Sequence, residues 1–501
     1  MRKLLWFSLV IAGTMAASAG GSQGARNFPV IQLPQGYRIE KVVDGLTYAT
    51  SVAWDGQGRM YVLEAGGAFV EEPVPARLMR IENGRAVEVV NLQTKGIGAS
   101  AVGLVWHDGA FYITHRDGKD RTGAVSRVTL DGRVTQVFKG IVDSQSEHQI
   151  NGIEVGPNGR MYVAVGPASN SGVVGLDLGP FVARSPKVHP RPCQDIVLTG
   201  YNFMTPDFRT DNQSDTALTG AFVPFGTATK AGQVIKGTNK CGGSILSFDP
   251  KNAEGTLRPY VSGLRNAIDM AWNNQGTMFV AVNGYDIRGS RSVKDQWDAT
   301  YRVKPGAWYG WPDFSATLEP LTDPKFTPPG SQLAPIMKGG VAQPPKLNFL
   351  IDHAASKLTP PDRSLVAGLH DWNSSPSGLH FSPDGWGPFG NQLFVAEWGD
   401  LTPATNPLRD KPAGFQISRI DPATRRAVPF ARNAEPGPAS LQGAMGQGIE
   451  RPFDLKFHSG AMYIVDYGVA RVNPARIKEG KPPYEFPPKT GVVWKITRTA
   501  Q

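Results

Sequence analysis

Several stretches of this sequence set side chains of useful chemistry just before or just after what reads as a short apolar strand. His148 and Asn151 stand in EHQINGIEV, Arg265 and Asn266 in GLRNAIDM, and Arg451 in ERPFDLKF. Asn283, Gly284, Tyr285 and Asp286 form the turn NGYD, and Glu397 to Asp400 form EWGD. A histidine titrates near neutral pH and suits proton transfer. A guanidinium presents a planar fork that matches carboxylates, and a turn rich in carbonyl and carboxylate oxygens suits a hard cation such as calcium. Trp372 and Trp398 add aromatic faces that can stack on a sugar or a planar ring.

Whether these groups meet depends on the elements that carry them, and a repeat identifies those elements. Six times the chain writes an apolar strand, a turn rich in Gly, Asn or Asp, and a second apolar strand. The copies begin at Ser51, Gly103, Gly152, Asp269, Gly378 and Asp454. Each has the turn chemistry and the β-branched and aromatic content of a β-hairpin. Third strands follow most of them, from Arg77, Ala124, Ser244, Phe415 and Val492, and fourth strands follow some, as from Ala86 and Val134. Four strands in each of six repeats predict an all-β six-bladed propeller. The last repeat stops after its third strand near Arg498, while Tyr37 to Val43 is a strand without a hairpin before it. Placing Tyr37 to Val43 on the outside of the last blade closes the ring and covers an open edge.

Strands within a blade alternate in direction, so the loop leading into the first strand and the loop leaving the second lie on one side. By that rule the candidate groups above share a rim around the channel, the default place for a site on such a scaffold. His148, Arg265 and Arg451 are expected to line one pocket there. Two segments break the repeat: 167–240 inside the third blade, and 308–373 between the fourth and fifth blades. Both are expected to be ordered insertions over the ring.

Arg2 and Lys3, an apolar run from Leu4 to Ala12 and the small residues Ala17-Ser18-Ala19 read as a signal peptide over 1–19, followed by a linker over 20–35. The apolar run is too short for a membrane span, and a periplasmic or secreted protein is expected. Removing Arg2 and Lys3 lowers the formal charge of +9 by two, and the remaining basic residues are scattered. That distribution argues against a nucleic-acid footprint. The two cysteines, Cys193 inside the first insertion and Cys241 just after it, belong to a chain expected to be exported and are expected to form a disulfide that tethers the insertion.

The segments GLRNAIDMAWNNQGTMFVAVNGYDIRGSR, YRVKPGAWYGWPDF, EHQINGIEVGPNGRMYVAVG, SSPSGLHF and ERPFDLKF resemble blade signatures of the glucose/sorbosone dehydrogenase superfamily. The resemblance covers about Leu33 to Thr497. It implies a dehydrogenase that oxidises an aldose, sorbosone or similar polyol by hydride transfer to pyrroloquinoline quinone, with calcium beside the cofactor and an external electron acceptor. On the same footing, His148 takes the hydroxyl proton and Arg265 stabilises charge on the quinone oxygen. Asn266, Asn151, Arg451 and Trp398 touch the cofactor, and Gly284, Tyr285 and Asp286 make the calcium turn.

The sequence also departs from that pattern. Phe453 stands where a second family arginine is expected, no glutamine counterpart appears around Gly96 to Ala101, and EWGDLTP supplies no lysine. Two other functions therefore stay open. One is a calcium-dependent lactonase using Glu397, Asn151, Asn266 and Asp454; the other is a non-catalytic propeller that binds glycan or protein.

Overall fold

The computed structural model describes residues 30–69, 71–402, 404–478 and 483–499, so the expected signal peptide and most of the expected linker lie outside the described residues. The second strands of the repeats are apolar through most of their length, with a polar residue at the end of most, because both faces are covered. Met161–Val165 and Leu393–Glu397 are buried at every position, whereas the outer strand Arg85–Asn91 alternates and is half exposed. Turn chemistry holds the hairpins in register. In the Asp108-Gly109 turn both residues have positive φ, 47° and 75°, which matches the twist of the strands it joins.

The strands assemble into four-stranded antiparallel arrays. The first contains Ala49–Trp54, Met60–Glu64, Arg77–Glu82 and Arg85–Asn91. The second begins with an innermost strand in two pieces, Ile97–Gly98 and Leu104–His107, and continues through Ala110–Asp117, Gly123–Thr129 and Val134–Ile141. Ile150–Val155, Met161–Val165, Ser244–Phe248 and Arg258–Ser262 make the third. The fourth is Asn266–Trp272, Met278–Asn283, Asp298–Arg302 and Val366–His370; the fifth is Pro376–Phe381, Leu393–Glu397, Gln416–Asp421 and Arg426–Asn433. A parallel bridge, Leu369 to Arg426, joins these two into one sheet. The sixth contains Pro452–His458, Ala461–Asp466 and Gly491–Arg498, with Tyr37–Leu46 paired outside the last of these, Tyr37 opposite Arg498.

The innermost strands contact one another in sequence from the first array to the sixth and back to the first. A separate hydrophobic core fills each gap between neighbours, such as Leu63 with Phe111 and Val52 with Val493. Each fully buried large apolar side chain contributes roughly 1.5–3 kcal/mol. The channel inside this ring is lined from every array, by Ser51, Gly103, Gly152, Asp269, Gly378 and Lys456 among others. Glycine is required at Gly152, where a Cβ would come within 2.1 Å of Asp269 Oδ1.

Two boundaries differ from the sequence reading. Ile31–Gln32, read as linker, pairs with Asn433 and Arg432 at the edge of the fifth array. Within 308–373, the strand Val366–His370 is the outer strand of the fourth array, so the insertion interrupts that array rather than separating two. Val366–His370 carries a glycine and little periodicity, and pairing with Asp298–Arg302 rather than propensity makes it a strand.

The two insertions form one structure. Tyr201–Pro206 of the first pairs with Ile336–Lys338 of the second, flanked by Thr216–Gly220 and Val341–Gln343. Phe203, Phe222, Trp311, Ile336 and Leu350 share its core, which also takes in Tyr285. Cys193 and Cys241 form a disulfide with Cα atoms 5.0 Å apart, closing the first insertion across 48 residues.

Candidate functional site

His148 lies in the loop that leads into Ile150–Val155, and its ring is almost fully buried. Nδ1 is 2.8 Å from the carbonyl oxygen of Pro167. A carbonyl only accepts, so Nδ1 carries the proton and Nε2 keeps its lone pair. Nε2 stands 3.5 Å from Glu147 Oε1. Burial holds the imidazole well below its ordinary pKa, and the guanidiniums of Arg265 and Arg288 press it further down. The ring is therefore a neutral base at neutral pH, oriented by its own backbone bond.

Arg265 precedes, and Asn266 opens, the innermost strand of the fourth array, and both meet the third. Asn266 Oδ1 accepts from Asn151 Nδ2 at 3.3 Å, and Asn151 Nδ2 also donates to the carbonyl of Ala267 at 2.8 Å. Gly166 makes the approach possible, since a Cβ there would lie 2.3 Å from Asn266 Oδ1 and 2.6 Å from His148 Cβ. Arg265 Nη2 donates to Asp286 Oδ2 at 2.8 Å and to Asn170 Oδ1 at 2.9 Å. His148, Asn151, Arg265, Asn266 and Asp286 thus form one cluster at the rim.

Arg451 does not join it. Its Nη1 donates to the carbonyls of Trp398, Gly399 and Asp400, and its Nε and Nη2 both donate to that of Ala470. Its guanidinium lies 4.2 Å from the ring centre of Trp398 and 4.8 Å from that of Phe415. The expected hold on a cofactor carboxylate is corrected accordingly: Arg451 fastens the loop after the fifth array's second strand to the sixth array.

In the turn expected to bind calcium, several groups are held by the chain itself. Asp286 Oδ2 is shared by Arg265 and Arg288, Oδ1 accepts from Asn373 Nδ2 at 3.0 Å, and the Asp286 carbonyl accepts from Asn170 Nδ2 at 2.9 Å. Gly284 N donates to Asp298 Oδ1 at 2.6 Å, and Tyr285 is buried with its hydroxyl donating to Phe314 O at 2.9 Å. Two fixed guanidiniums beside Asp286 oppose a divalent cation at its side chain, so that carboxylate does not fit calcium.

The lactonase ligands do not converge. Glu397 Oε1 is 2.9 Å from His370 Nδ1 and accepts from Ser418 Oγ at 2.7 Å, inside the fourth and fifth arrays. Thr300 Oγ1 is 2.8 Å from His370 Nε2 at the other end of this buried relay. Asp454 Oδ2 instead accepts from Ser51 Oγ at 2.9 Å, beside Lys456 in the channel.

Sequence reasoning missed Glu147, Asp177, Arg288 and the aromatic wall. That wall gathers Tyr48, Trp398, Phe453 and Tyr467, at or near strand ends of the first, fifth and sixth arrays, with Phe486 from the segment before Gly491–Arg498. Tyr484 continues it toward Arg288: its ring is 6.3 Å from Phe486, and burial together with the nearby Glu147 and Asp286 charges raises its hydroxyl, outweighing Arg288, to about 12. Trp398 Nε1 and Tyr467 Oη are buried donors without a partner among the described residues. Rings tilted against one another around two orphaned donors combine aromatic faces with hydrogen-bonding capacity. Trp372, by contrast, packs edge-on against Trp297.

An all-β ring with a base at its mouth is the class that fold and site define. No protein-family model matches the sequence, and no curated protein matches it. Solved structures do share its fold. A Trichoderma reesei structure of carbohydrate-active enzyme family AA12 is 14% identical, with a TM-score of 0.53, over 96% of this chain and 100% of that one. The holo pyrroloquinoline-quinone domain of Coprinopsis cinerea pyranose dehydrogenase is also 14% identical, with a TM-score of 0.52, over 93% and 97%. The quinone-bound aldose sugar dehydrogenase of Streptomyces coelicolor follows at 15% identity and a TM-score of 0.48, over 93% and 99%. At these identities the likeness is one of fold.

Proposed function

We propose that this chain is an exported dehydrogenase of the quinoprotein type, a six-bladed propeller over residues 36–501, acting on a hydroxyl of an aldose, sorbosone or similar polyol. The observation that carries the proposal is His148: neutral, fixed by Pro167, with Nε2 unprotonated at the mouth. A base so arranged accepts the hydroxyl proton as the carbon loses hydride. Bound pyrroloquinoline quinone supplies the hydride acceptor, and an external acceptor regenerates it. Trp398 and Tyr467 would hold it through the indole N–H and the phenol, and Asn151 and Asn266 keep His148 and Arg265 in register.

Support for the blade count comes from six arrays whose innermost strands contact in a closed cycle. Support for export comes from the disulfide, a bond that persists in oxidising compartments. Among the described residues no helix is long and apolar enough to cross a membrane.

One observation favours a second reading, a non-catalytic propeller that binds glycan or protein. The cation expected to hold a quinone carboxylate, Arg451, is committed to backbone carbonyls. Titration with the quinone, followed by tryptophan fluorescence and melting temperature, separates the two. The dehydrogenase reading expects micromolar binding that Trp398→Ala weakens roughly tenfold or more, the loss of about one hydrogen bond and a stacking face. Absence of binding at these concentrations would transfer the proposal to the binding propeller.

A further inference from the structure

Three carboxylates from separate stretches of chain close on one guanidinium at the mouth. Arg288 Nη2 is 2.7 Å from Glu147 Oε1 and 2.9 Å from Asp286 Oδ2, and Nη1 is 2.6 Å from Asp177 Oδ2. Glu147 comes from the loop before the third array, Asp177 from the first insertion, and Asp286 from the turn after Met278–Asn283. Side chains here keep between 10% and 15% of their surface, so ions in solution reach the cluster. Convergent carboxylates of this kind repel one another unless a cation neutralises them, and oxygen ligands from several loops are how a hard divalent ion is held. In this chain the cation is part of the protein.

The same arrangement recurs in the channel. Lys456 Nζ is 2.5 Å from Glu154 Oε1, 3.2 Å from Asp269 Oδ2 and 3.9 Å from Asp454 Oδ1. Among the described residues, each of these two groups of converging carboxylates is thus filled by a side-chain cation of the same chain.

We infer that Arg288 is a tethered cation standing where a divalent metal would otherwise be bound, so that the mouth is complete without calcium. The consequence for ligand binding rests on the proposed function; the consequence for metal binding does not. A fixed guanidinium cannot be removed by chelators, and it keeps Glu147 and Asp286 in place beside His148 and Arg265.

Removing the guanidinium should create the metal site. In thermal melts the wild-type protein is expected to show no shift between excess chelator and about 10 mM calcium, well above the range of weak extracellular sites. Arg288→Gln, which leaves Glu147 and Asp177 without their guanidinium and Asp286 with Arg265 alone, should melt lower and regain roughly 3 °C or more when calcium is added. Arg288→Lys keeps a cation and should not respond. Quinone affinity of the wild type should agree within about twofold with and without calcium, since Arg288 already neutralises the cluster. A calcium-induced shift of the wild type that Asp286→Asn abolishes would overturn the inference, as would folded Arg288→Gln protein indifferent to calcium. If Arg288→Gln does not fold, the wild-type melts decide. Quinone binding absent under both conditions would count against the proposed cofactor alone.

Discussion

At the scale of the residue, the mouth is organised around the protonation of one imidazole. Pro167 fixes the Nδ1 proton of His148, and the low pKa imposed by burial, Arg265 and Arg288 keeps Nε2 free. A base is lost when pH falls through its pKa, and here that pKa lies below the ordinary 6.5. The pH profile of kcat/KM should therefore be flat through neutrality, with its acid limb below 6.5; a limb at or above that value would contradict the assigned environment. Arg451 belongs to a different account. Its alanine variant leaves the carbonyls of Asp400 and Ala470 without donors, so stability should fall by about 3 kcal/mol. Quinone affinity of the protein that remains folded should change little. A large loss of affinity at unchanged melting temperature would restore Arg451 to the binding site.

At the scale of the element, the hairpins were legible because each repeats the same alternation of apolar strand and glycine-bearing turn. His148, Asn151, Arg265 and Asn266 were legible with them, since each stands just before or at the start of an innermost strand and topology brings such residues to one rim. Partners were not legible. Nothing local in the sequence says that Arg288 reaches Glu147 or that Arg451 turns away to Ala470, because these contacts span 141 and 19 residues. Nor could periodicity announce that Tyr201–Pro206 pairs with Ile336–Lys338, which welds two insertions into one cap. The Cys193–Cys241 bond closes 48 residues of that cap's first half. Chain entropy gives such a closure about 4 kcal/mol at most. Reduction, or Cys193→Ser with Cys241→Ser, should lower the melting temperature and expose the insertion to protease before the ring. Simultaneous cleavage of ring and insertion would show that the cap does not open on its own.

At the scale of the whole molecule, closure joins the two ends of the chain. Tyr37–Leu46 runs antiparallel to Gly491–Arg498, and Leu46 and Val43 fill the core shared by the sixth and first arrays with Val465 and Val493. Deleting residues through Leu46 removes that core's lid and bares an edge strand, so the shortened chain should aggregate and lose its single cooperative melt. Retention of a monomeric, cooperatively melting protein would mean the ring is held elsewhere. Closure also fixes the distances among groups that come from different arrays, His148 from the third and Arg265 from the fourth. The most direct test of the central claim is anaerobic single-turnover reduction of quinone-loaded protein by an aldose or polyol, followed by quinone absorbance. Wild-type protein should bleach the oxidised quinone band, and His148→Asn should load equally well yet react slower by about 10²–10⁴-fold. Equal rates for the two proteins would contradict the role given to His148.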